Sequence, residues 1–130
     1  IIEHDLVRLA CRSDGSNYME SRLRFFIDWD PASLTRPDKY SGSLPLHSIV
    51  GNNIQMFRSV FKAGIVYFPK KKGMCLLFKK DNGFGHTPFI NACYKFGREE
   101  VVKVVESTIA DYYSGNNNNI NNNIIPYNPV

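Results

Sequence analysis

The sequence predicts an all-α fold, and a pattern that occurs twice along the chain is the main reason. The two copies, residues 38–47 and 81–90, lie 43 residues apart (from 38 to 81). Each copy has an Asp, a Gly, a Pro and a large apolar residue at the same relative places. Each is followed by two short apolar segments separated by a break, which favours a pair of helices. An internal repeat of this kind predicts a scaffold of stacked helix pairs that binds a partner.

Length and composition are compatible with one such domain. The chain has 130 residues, of which 43% are hydrophobic, enough for a single modest core. We therefore expect one repeat domain over residues 1–113, followed by a tail over residues 114–130. The net charge of +4 is too small to indicate a nucleic-acid-binding protein by itself.

The cysteines and the N-terminal residues bear on the cellular compartment of the protein. Cys11, Cys75 and Cys93 are odd in number and widely spaced, which matches neither a metal-binding pattern nor a disulfide framework. We expect no metal, no cofactor and a reducing intracellular compartment, in the first place the cytoplasm. No apolar run approaches the roughly 20 residues of a membrane-spanning helix. The chain begins without Met or a signal-peptide pattern, so we expect it to be part of a longer protein.

A degenerate repeat is predicted over residues 4–31. Helical spacing of apolar residues predicts one helix over 4–12, which a cluster of turn-forming residues ends. A second helix is predicted over 18–29, stopping before Pro31 because the residue that precedes a proline is disfavoured in the α region. The apolar face of this second helix consists of Met19, Leu23, Phe26 and Ile27. A loop over 32–43 follows.

The first clear repeat covers about residues 38–64. Pro45 is predicted to start a helix, because a proline in the first helical turn loses no hydrogen bond. Residues 51–53 break this helix, and a second one is predicted over 54–63 with Gly64 as its C-terminal cap. The residues expected to be buried in the second helix are Ile54, Phe57, Val60 and Phe61.

An insertion over residues 65–80 separates the two clear repeats. Residues 65–68 and 74–78 are apolar, and a proline and three lysines lie between them. Two short strands joined by a turn are therefore expected, as an extended hairpin. Residues 74–78 could instead form a helical turn on the core, since five residues are too few for periodicity to decide.

The second clear repeat covers about residues 81–110. Thr87 is a good N-cap, and Pro88 is expected to open a helix that ends at residue 94 or 95. A break at 96–97 leads into a partner helix over 98–109 or beyond. The wide apolar face of this partner helix consists of Val101, Val102, Val104 and Val105.

The composition changes after Tyr113. Residues 114–123 contain seven asparagines and a single apolar residue, Ile120. Such a run buries too little apolar surface to offset the entropy lost on ordering, so a flexible Asn-rich tail is predicted over 114–130.

The duplicated pattern resembles a known repeat. Residues 42–47 (Gly-Ser-Leu-Pro-Leu-His) and 85–89 (Gly-His-Thr-Pro-Phe) resemble the G-x-T-P-L-H opening of the ankyrin repeat. Ala92–Cys93 resemble its paired small residues, residues 97–102 its inter-helix turn and second helix, and Ala63–Gly64 the end of that helix. The resemblance covers about residues 38–110.

The chain departs from the ankyrin pattern at several positions. Leu44 replaces the Thr, Ile90 replaces the His, and Ile49–Val50 replace the small pair. The repeat spacing of 43 residues (from 38 to 81) exceeds the usual ~33, and residues 65–80 account for the excess.

The resemblance implies an ankyrin-like solenoid of antiparallel helix pairs joined by hairpin loops. It implies that His47 bridges backbone groups of neighbouring turns, that Thr87 caps its helix, and that Ala92 and Cys93 are buried between helices. It also implies a function, that of a non-catalytic scaffold for protein–protein interaction whose protein partner is unknown.

The candidate partner-binding residues occupy variable turn tips and exposed positions of an inner helix. They are Lys39, Tyr40, Asn82, Phe84, His86, Asn91, Tyr94 and Lys95. Tip residues need not support the fold, and Tyr or Phe there provides contact area at a low entropic cost. No small-molecule substrate is expected.

Lysines of the insertion form a second candidate surface, for an anionic partner. They are Lys70, Lys71, Lys72, Lys79 and Lys80. A solvated basic loop is one interpretation. Contact with an acidic protein partner is another, and electrostatic binding of nucleic acid or an anionic membrane surface is the alternative function. The resemblance to the ankyrin repeat favours a protein over the other two partners.

Two residue groups that could suggest a site have a structural explanation. Cys93, His86 and Asp81 superficially resemble a thiol triad, but Cys93 occupies a position where a buried cysteine is inert, so no enzyme is expected. The Phe25–Phe26 pair and Trp29 have helical spacing, which favours a place in the core.

Overall fold

The computed structural model describes the backbone of residues 17–121 and the side chains of residues 20–114. Over this part of the chain the protein has six α-helices, three short 3₁₀ helices and no strand, which confirms the all-α class. The predicted helix over 4–12, Cys11 and the last residues of the predicted tail lie outside the described residues. None of the described helices is long and apolar enough to cross a membrane.

The α-helices are α1 (Asn17–Trp29), α2 (Pro45–Ser48), α3 (Ile54–Tyr67), α4 (Lys71–Cys75), α5 (Pro88–Phe96) and α6 (Arg98–Asn121). The 3₁₀ helices are Pro31–Thr35, Ile49–Gly51 and Leu76–Phe78.

Helix α1 agrees with its predicted limits. It ends at Trp29, and the chain then forms a 3₁₀ helix over Pro31–Thr35 instead of continuing as the predicted loop. Arg36 closes this short helix by donating two hydrogen bonds to the Asp30 carboxylate, at 2.8 and 3.2 Å. This 3₁₀ helix was not predicted because its five residues are too few to show helical periodicity.

Helix α3 is longer than predicted, so the assignment of Gly64 as a C-terminal cap is wrong. Asn53 starts the helix, its Oδ1 accepting a hydrogen bond from the Met56 N–H at 2.9 Å. The helix continues past Gly64 to Tyr67 because Ile65 extends the apolar stripe and is fully buried. Gly64 lies inside the helix, where its small size admits Leu76.

The predicted hairpin over the insertion is also wrong, because both apolar segments are helical. Residues 65–67 belong to α3, and residues 71–78 form α4 and the last 3₁₀ helix. Helix α4 packs closely on α3, and the Gly73 N–H donates to the carbonyl of Phe68, the residue that follows α3, at 2.8 Å. The buried side chain of Leu77 holds the 3₁₀ helix on the core. The alternative prediction, a helical turn over 74–78 that lies on the core, is therefore closer to the structure.

The last helix pair begins and breaks where predicted. Thr87 caps α5, with its Oγ1 accepting a hydrogen bond from the Ile90 N–H at 3.0 Å. Gly97, at φ 92°, joins α5 directly to α6. Helix α6 continues to Asn121 and so includes the first residues of the Asn-rich segment, because extending an existing helix costs far less than starting one. A flexible tail over 114–130 stays a prediction.

One hydrophobic core runs through all these helices. Its buried members are Leu23, Ile27, Leu34, Leu46, Ile49, Val50, Met56, Phe57, Val60, Phe61, Ala63, Ile65, Leu77, Ala92 and Val101. Ala92 is fully buried as expected, whereas Cys93 and Ile54 are half-buried. In α6, Val101 is buried and the other three valines of the predicted face are half-buried.

Polar contacts at exposed and half-buried positions join three helices, α1, α3 and α6. The Ser59 hydroxyl donates to Glu20 at 2.8 Å, and the Tyr67 hydroxyl donates to Asp28 at 2.5 Å. Because both bonds join residues 39 positions apart, α1 and α3 run in the same direction. On the other side of α3, Arg58 donates to Thr108 and Asp111 of α6, at 3.2 and 2.9 Å.

Candidate partner-binding surface

The two copies of the duplicated pattern form two equivalent turns. In each, the N–H of the aspartate donates to the carbonyl of the sixth residue, at 2.8 Å in the turn over 38–43 and 2.9 Å in the turn over 81–86. Gly42 and Gly85 both have φ 72°, a conformation that favours glycine. The same local sequence therefore produces the same backbone twice.

The turns lie beside each other. The Asn82 N–H in the second turn donates to the Ser41 carbonyl in the first, at 2.7 Å. A Cβ on residue 42 would lie 2.7 Å from the side chain of Asn82, so a larger residue there would require this exposed side chain to move.

The His47 side chain links the backbone that follows the first turn to the backbone of the second turn. Its Nδ1 accepts a hydrogen bond from the Leu44 N–H at 2.9 Å, so Nδ1 carries no proton and Nε2 does. The Nε2–H then donates to the His86 carbonyl at 2.9 Å, bridging 39 positions of sequence. His47 is buried, as a structural histidine should be. The bridging role implied for His47 is confirmed.

The aspartate carboxylates, and not the rings of Tyr40 and Phe84, hold the turns in shape. The Asp38 carboxylate holds the first turn by accepting the N–H groups of Tyr40 and Ser41, at 3.1 and 2.9 Å. The Asp81 carboxylate likewise accepts two backbone N–H groups in the second turn. Since the aspartate carboxylates hold the tips, the rings of Tyr40 and Phe84 are available for another molecule.

Three of the candidate side chains form a continuous aromatic row. The Phe84 ring lies 5.7 Å from the His86 ring, and the His86 ring lies 6.1 Å from the Tyr94 ring of α5. Phe84 is 88% exposed and Tyr94 79% exposed, values high for rings of this size. The row runs from the tip of the second turn onto helix α5.

An open depression of about 400 Å³ adjoins the row. It is lined by His47, Val50, Gly51, Asn91, Tyr94 and Lys95. Asn91, Tyr94 and Lys95 are candidate residues, so the structure brings these three together with the aromatic row.

The remaining candidates lie at the turn tips. Tyr40 is 83% exposed at the first tip, with the Lys39 ammonium 5.5 Å from the centre of its ring. Asn82 is exposed at the second tip and is fixed by its backbone bond to the first turn. We call the eight candidate residues together the turn surface.

The five insertion lysines are all exposed. No ion pair joins them to any acidic residue within the described part of the chain. The Lys72 ammonium lies 5.0 Å from the centre of the Phe68 ring. Beside Lys79, the half-exposed Phe78 ring contacts Phe89 of α5 at 5.6 Å between ring centres.

The structure corrects the placement of two aromatic residues in the core. Phe25 is 60% exposed and Trp29 68% exposed, and their rings contact each other at 6.1 Å. Helical spacing placed both on one face of α1, but Leu23 and Ile27 form the face that meets the core. Only Phe26 packs partly against the core.

Asp81 and His86, two residues of the superficial thiol triad with Cys93, make other contacts. The Asp81 carboxylate binds backbone N–H groups, and the His86 ring contacts two aromatic rings. Burial raises the pKa of the Cys93 thiol above its ordinary value, and nearby Arg98 lowers it by a smaller amount. Within residues 20–114 no cluster of three or more His, Cys, Asp or Glu side chains could hold a metal ion.

No protein-family model, curated protein or solved structure matches this chain. The function proposed for it therefore depends on the geometry of its own surface.

Proposed function

We propose that this chain is a non-catalytic protein-interaction scaffold of ankyrin-repeat type, and that its turn surface binds a protein partner. The observation that carries the proposal is the aromatic row, in which the Phe84 and Tyr94 rings are highly exposed on either side of the half-buried His86 ring.

The repeat architecture is supported by contacts between equivalent elements. The first helices of the two copies meet, since α2 and the 3₁₀ helix after it contact α5. The second helices meet as well, since α3 contacts α6. The turns are joined by the Asn82–Ser41 and His47–His86 bonds. Side-by-side stacking of like elements is the arrangement of a solenoid, and α1 fits as the second helix of a degenerate earlier repeat.

The composition of the turn surface supports a protein partner. Tyr and Phe combine large contact area with few rotatable bonds, and are enriched where proteins bind each other. The depression beside Tyr94 is open and shallow, which suits a protruding side chain of a partner better than an enclosed small molecule.

The test compares the native chain with a variant that lacks three exposed rings, Tyr40→Ala/Phe84→Ala/Tyr94→Ala. Each is immobilised and incubated with an extract of the source cells, and the captured proteins are identified by mass spectrometry. We expect proteins that the native chain retains and the triple variant loses. Circular dichroism should show unchanged helical content, since none of the three rings is buried.

The matched control removes exposed rings from another surface, as Phe25→Ala/Trp29→Ala. It should retain the captured proteins. If the triple variant captures the same proteins as the native chain, the turn surface is not the binding site and the proposal fails.

A further inference from the structure

The insertion lysines are presented by a rigid support. Residues 70–80, here called the lysine segment, are anchored where Gly73 meets Gly64: a Cβ on Gly73 would lie 2.3 Å from the Gly64 carbonyl oxygen. Leu77 is fully buried, and Phe78 packs against Phe89. The backbone of the segment is therefore fixed, and its lysines project from defined positions.

Lys70 has a backbone conformation that lysine rarely adopts. Its φ is 70° and its ψ is −128°, in a region that glycine occupies without strain. It is the only non-glycine residue at positive φ within the described part of the chain. A Cβ at this position carries a conformational cost, so the surrounding structure must hold the backbone of Lys70 in place.

The lysines form two groups with no acidic residue between them. Lys71 and Lys72 are the first two residues of α4 and Lys70 precedes them, whereas Lys79 and Lys80 follow the 3₁₀ helix Leu76–Phe78. Together, α4 and this 3₁₀ helix are at most roughly 15 Å long. An extended chain of about five residues covers that distance. The second group leads directly into the turn that carries Phe84.

We propose that the lysine segment binds an acidic, extended stretch of about ten residues in the same protein partner that contacts the turn surface. The inference rests on the proposed function, because it assigns the partner its chemistry. The two lysine groups would each face carboxylates, and the stretch would lead onto the aromatic row.

The side chains present favour carboxylates of a polypeptide over phosphates. The segment contains no arginine, whose planar fork binds phosphate and guanine with two hydrogen bonds. Lysine is a point charge that a flexible carboxylate can meet from many directions. The neighbouring surface is aromatic and polar in the way that protein interfaces are.

The test uses a fluorescein-labelled peptide of about ten glutamates and measures its fluorescence anisotropy with the full chain. Lys71→Gln/Lys72→Gln and Lys79→Gln/Lys80→Gln should each weaken binding about fivefold, since each removes two charges at modest individual strength. The control Lys62→Gln/Lys103→Gln removes two exposed lysines elsewhere and should leave binding within about twofold. A glutamine peptide of equal length should not bind.

Other outcomes overturn the proposal. Equal weakening by the control pair would mean that net charge alone attracts the peptide. Lysine-dependent binding of phosphatidylserine vesicles or oligothymidylate without binding of the glutamate peptide would identify a membrane or nucleic-acid site instead.

The two proposals fail separately. If the aromatic variant loses the captured cell proteins but the lysine variants retain them, the proposal of an acidic stretch is wrong and the proposed scaffold function stands. If the lysine variants lose the captured proteins but the aromatic variant retains them, the turn surface is not the binding site.

Discussion

Single residues in this molecule differ in how well their type matches their backbone conformation and in how far they are buried. Lys70 occupies a backbone region that favours glycine, whereas Gly42 and Gly85 occupy such a region at no cost. Cys93 is half-buried beside Ala92, and Cys75 is exposed on α4. These contrasts can be tested one residue at a time.

Replacing Lys70 by glycine should stabilise the chain. The lysine pays a conformational cost at φ 70° that glycine avoids, and part of the gain is offset by the greater freedom of glycine in the unfolded state. We expect the free energy of unfolding to rise by about 1 kcal/mol, measured by urea denaturation. Lys70→Gln, which removes the charge and keeps the Cβ, should leave stability nearly unchanged. A glycine variant no more stable than the glutamine variant would show that position 70 is unstrained.

Cys93 should react slowly with iodoacetamide. Burial raises the pKa of its thiol, so less of the reactive thiolate is present near neutral pH, and the labelling rate should rise only at higher pH than for a free cysteine. Labelling is followed by mass spectrometry in a Cys11→Ser/Cys75→Ser background. The matched Cys11→Ser/Cys93→Ser chain keeps only Cys75, which is exposed and should react faster. Equal rates at neutral pH would contradict the half-buried placement of Cys93.

At the scale of elements, the unusual feature is how α4 sits on α3. Two glycines meet at this contact, Gly64 inside α3 and Gly73 inside α4. The absence of both side chains lets the helix backbones approach closely, so the insertion forms a compact layer of helix instead of an extended hairpin. The direction in which the lysine segment projects depends on this contact.

Gly73→Ala should therefore separate the two helices. Its Cβ would lie 2.3 Å from the Gly64 oxygen and 2.6 Å from the Phe68 oxygen, both backbone atoms that cannot rotate away. We expect a loss of ~1–3 kcal/mol in the free energy of unfolding, measured by urea denaturation. Gly51→Ala is the control, because a Cβ there meets nothing within 4 Å, and it should be neutral or slightly stabilising. Unchanged stability in Gly73→Ala would refute the close contact.

At the scale of the whole molecule, stability comes from contacts between neighbouring units. Helix α3 is joined to α1 on one side and to α6 on the other, and His47 joins the first turn to the second. In such an arrangement each interface adds to the stability of its neighbours. Loss of one bridging group should then weaken the whole chain.

His47→Ala tests this dependence. It leaves the Leu44 N–H without its partner in a buried position and removes the bond to the second turn, so we expect a loss of ~1–3 kcal/mol in unfolding free energy. His86→Ala is the matched control: only the backbone carbonyl of His86 takes part in the bridge, so stability should change little. Thermal unfolding followed by circular dichroism measures both. If the two variants melt alike, His47 does not hold the turns together.

Much of the site was predictable because it depends on local sequence. The turn glycines, the helix starts at Pro45 and Pro88, and the Thr87 cap each follow from steric and hydrogen-bonding preferences that act within a few residues. The exposure of Tyr40 and Phe84 follows from their place at the turn tips. The contact between His86 and Tyr94 was not predictable, because it depends on how the second turn folds back over α5.

The sequence by itself determined the helical class, the duplicated turns and the two helix pairs, since periodicity and capping act along the chain. The tertiary structure alone decided the full length of α3, the helical form of the insertion and the exposure of Phe25 and Trp29. Each of these depends on which face of a helix meets a neighbour: Ile65 continues α3 because the core is there to bury it, and Trp29 stays outside because Leu23 and Ile27 fill that place. Burial against distant residues is a property of the folded chain, and local pattern does not contain it.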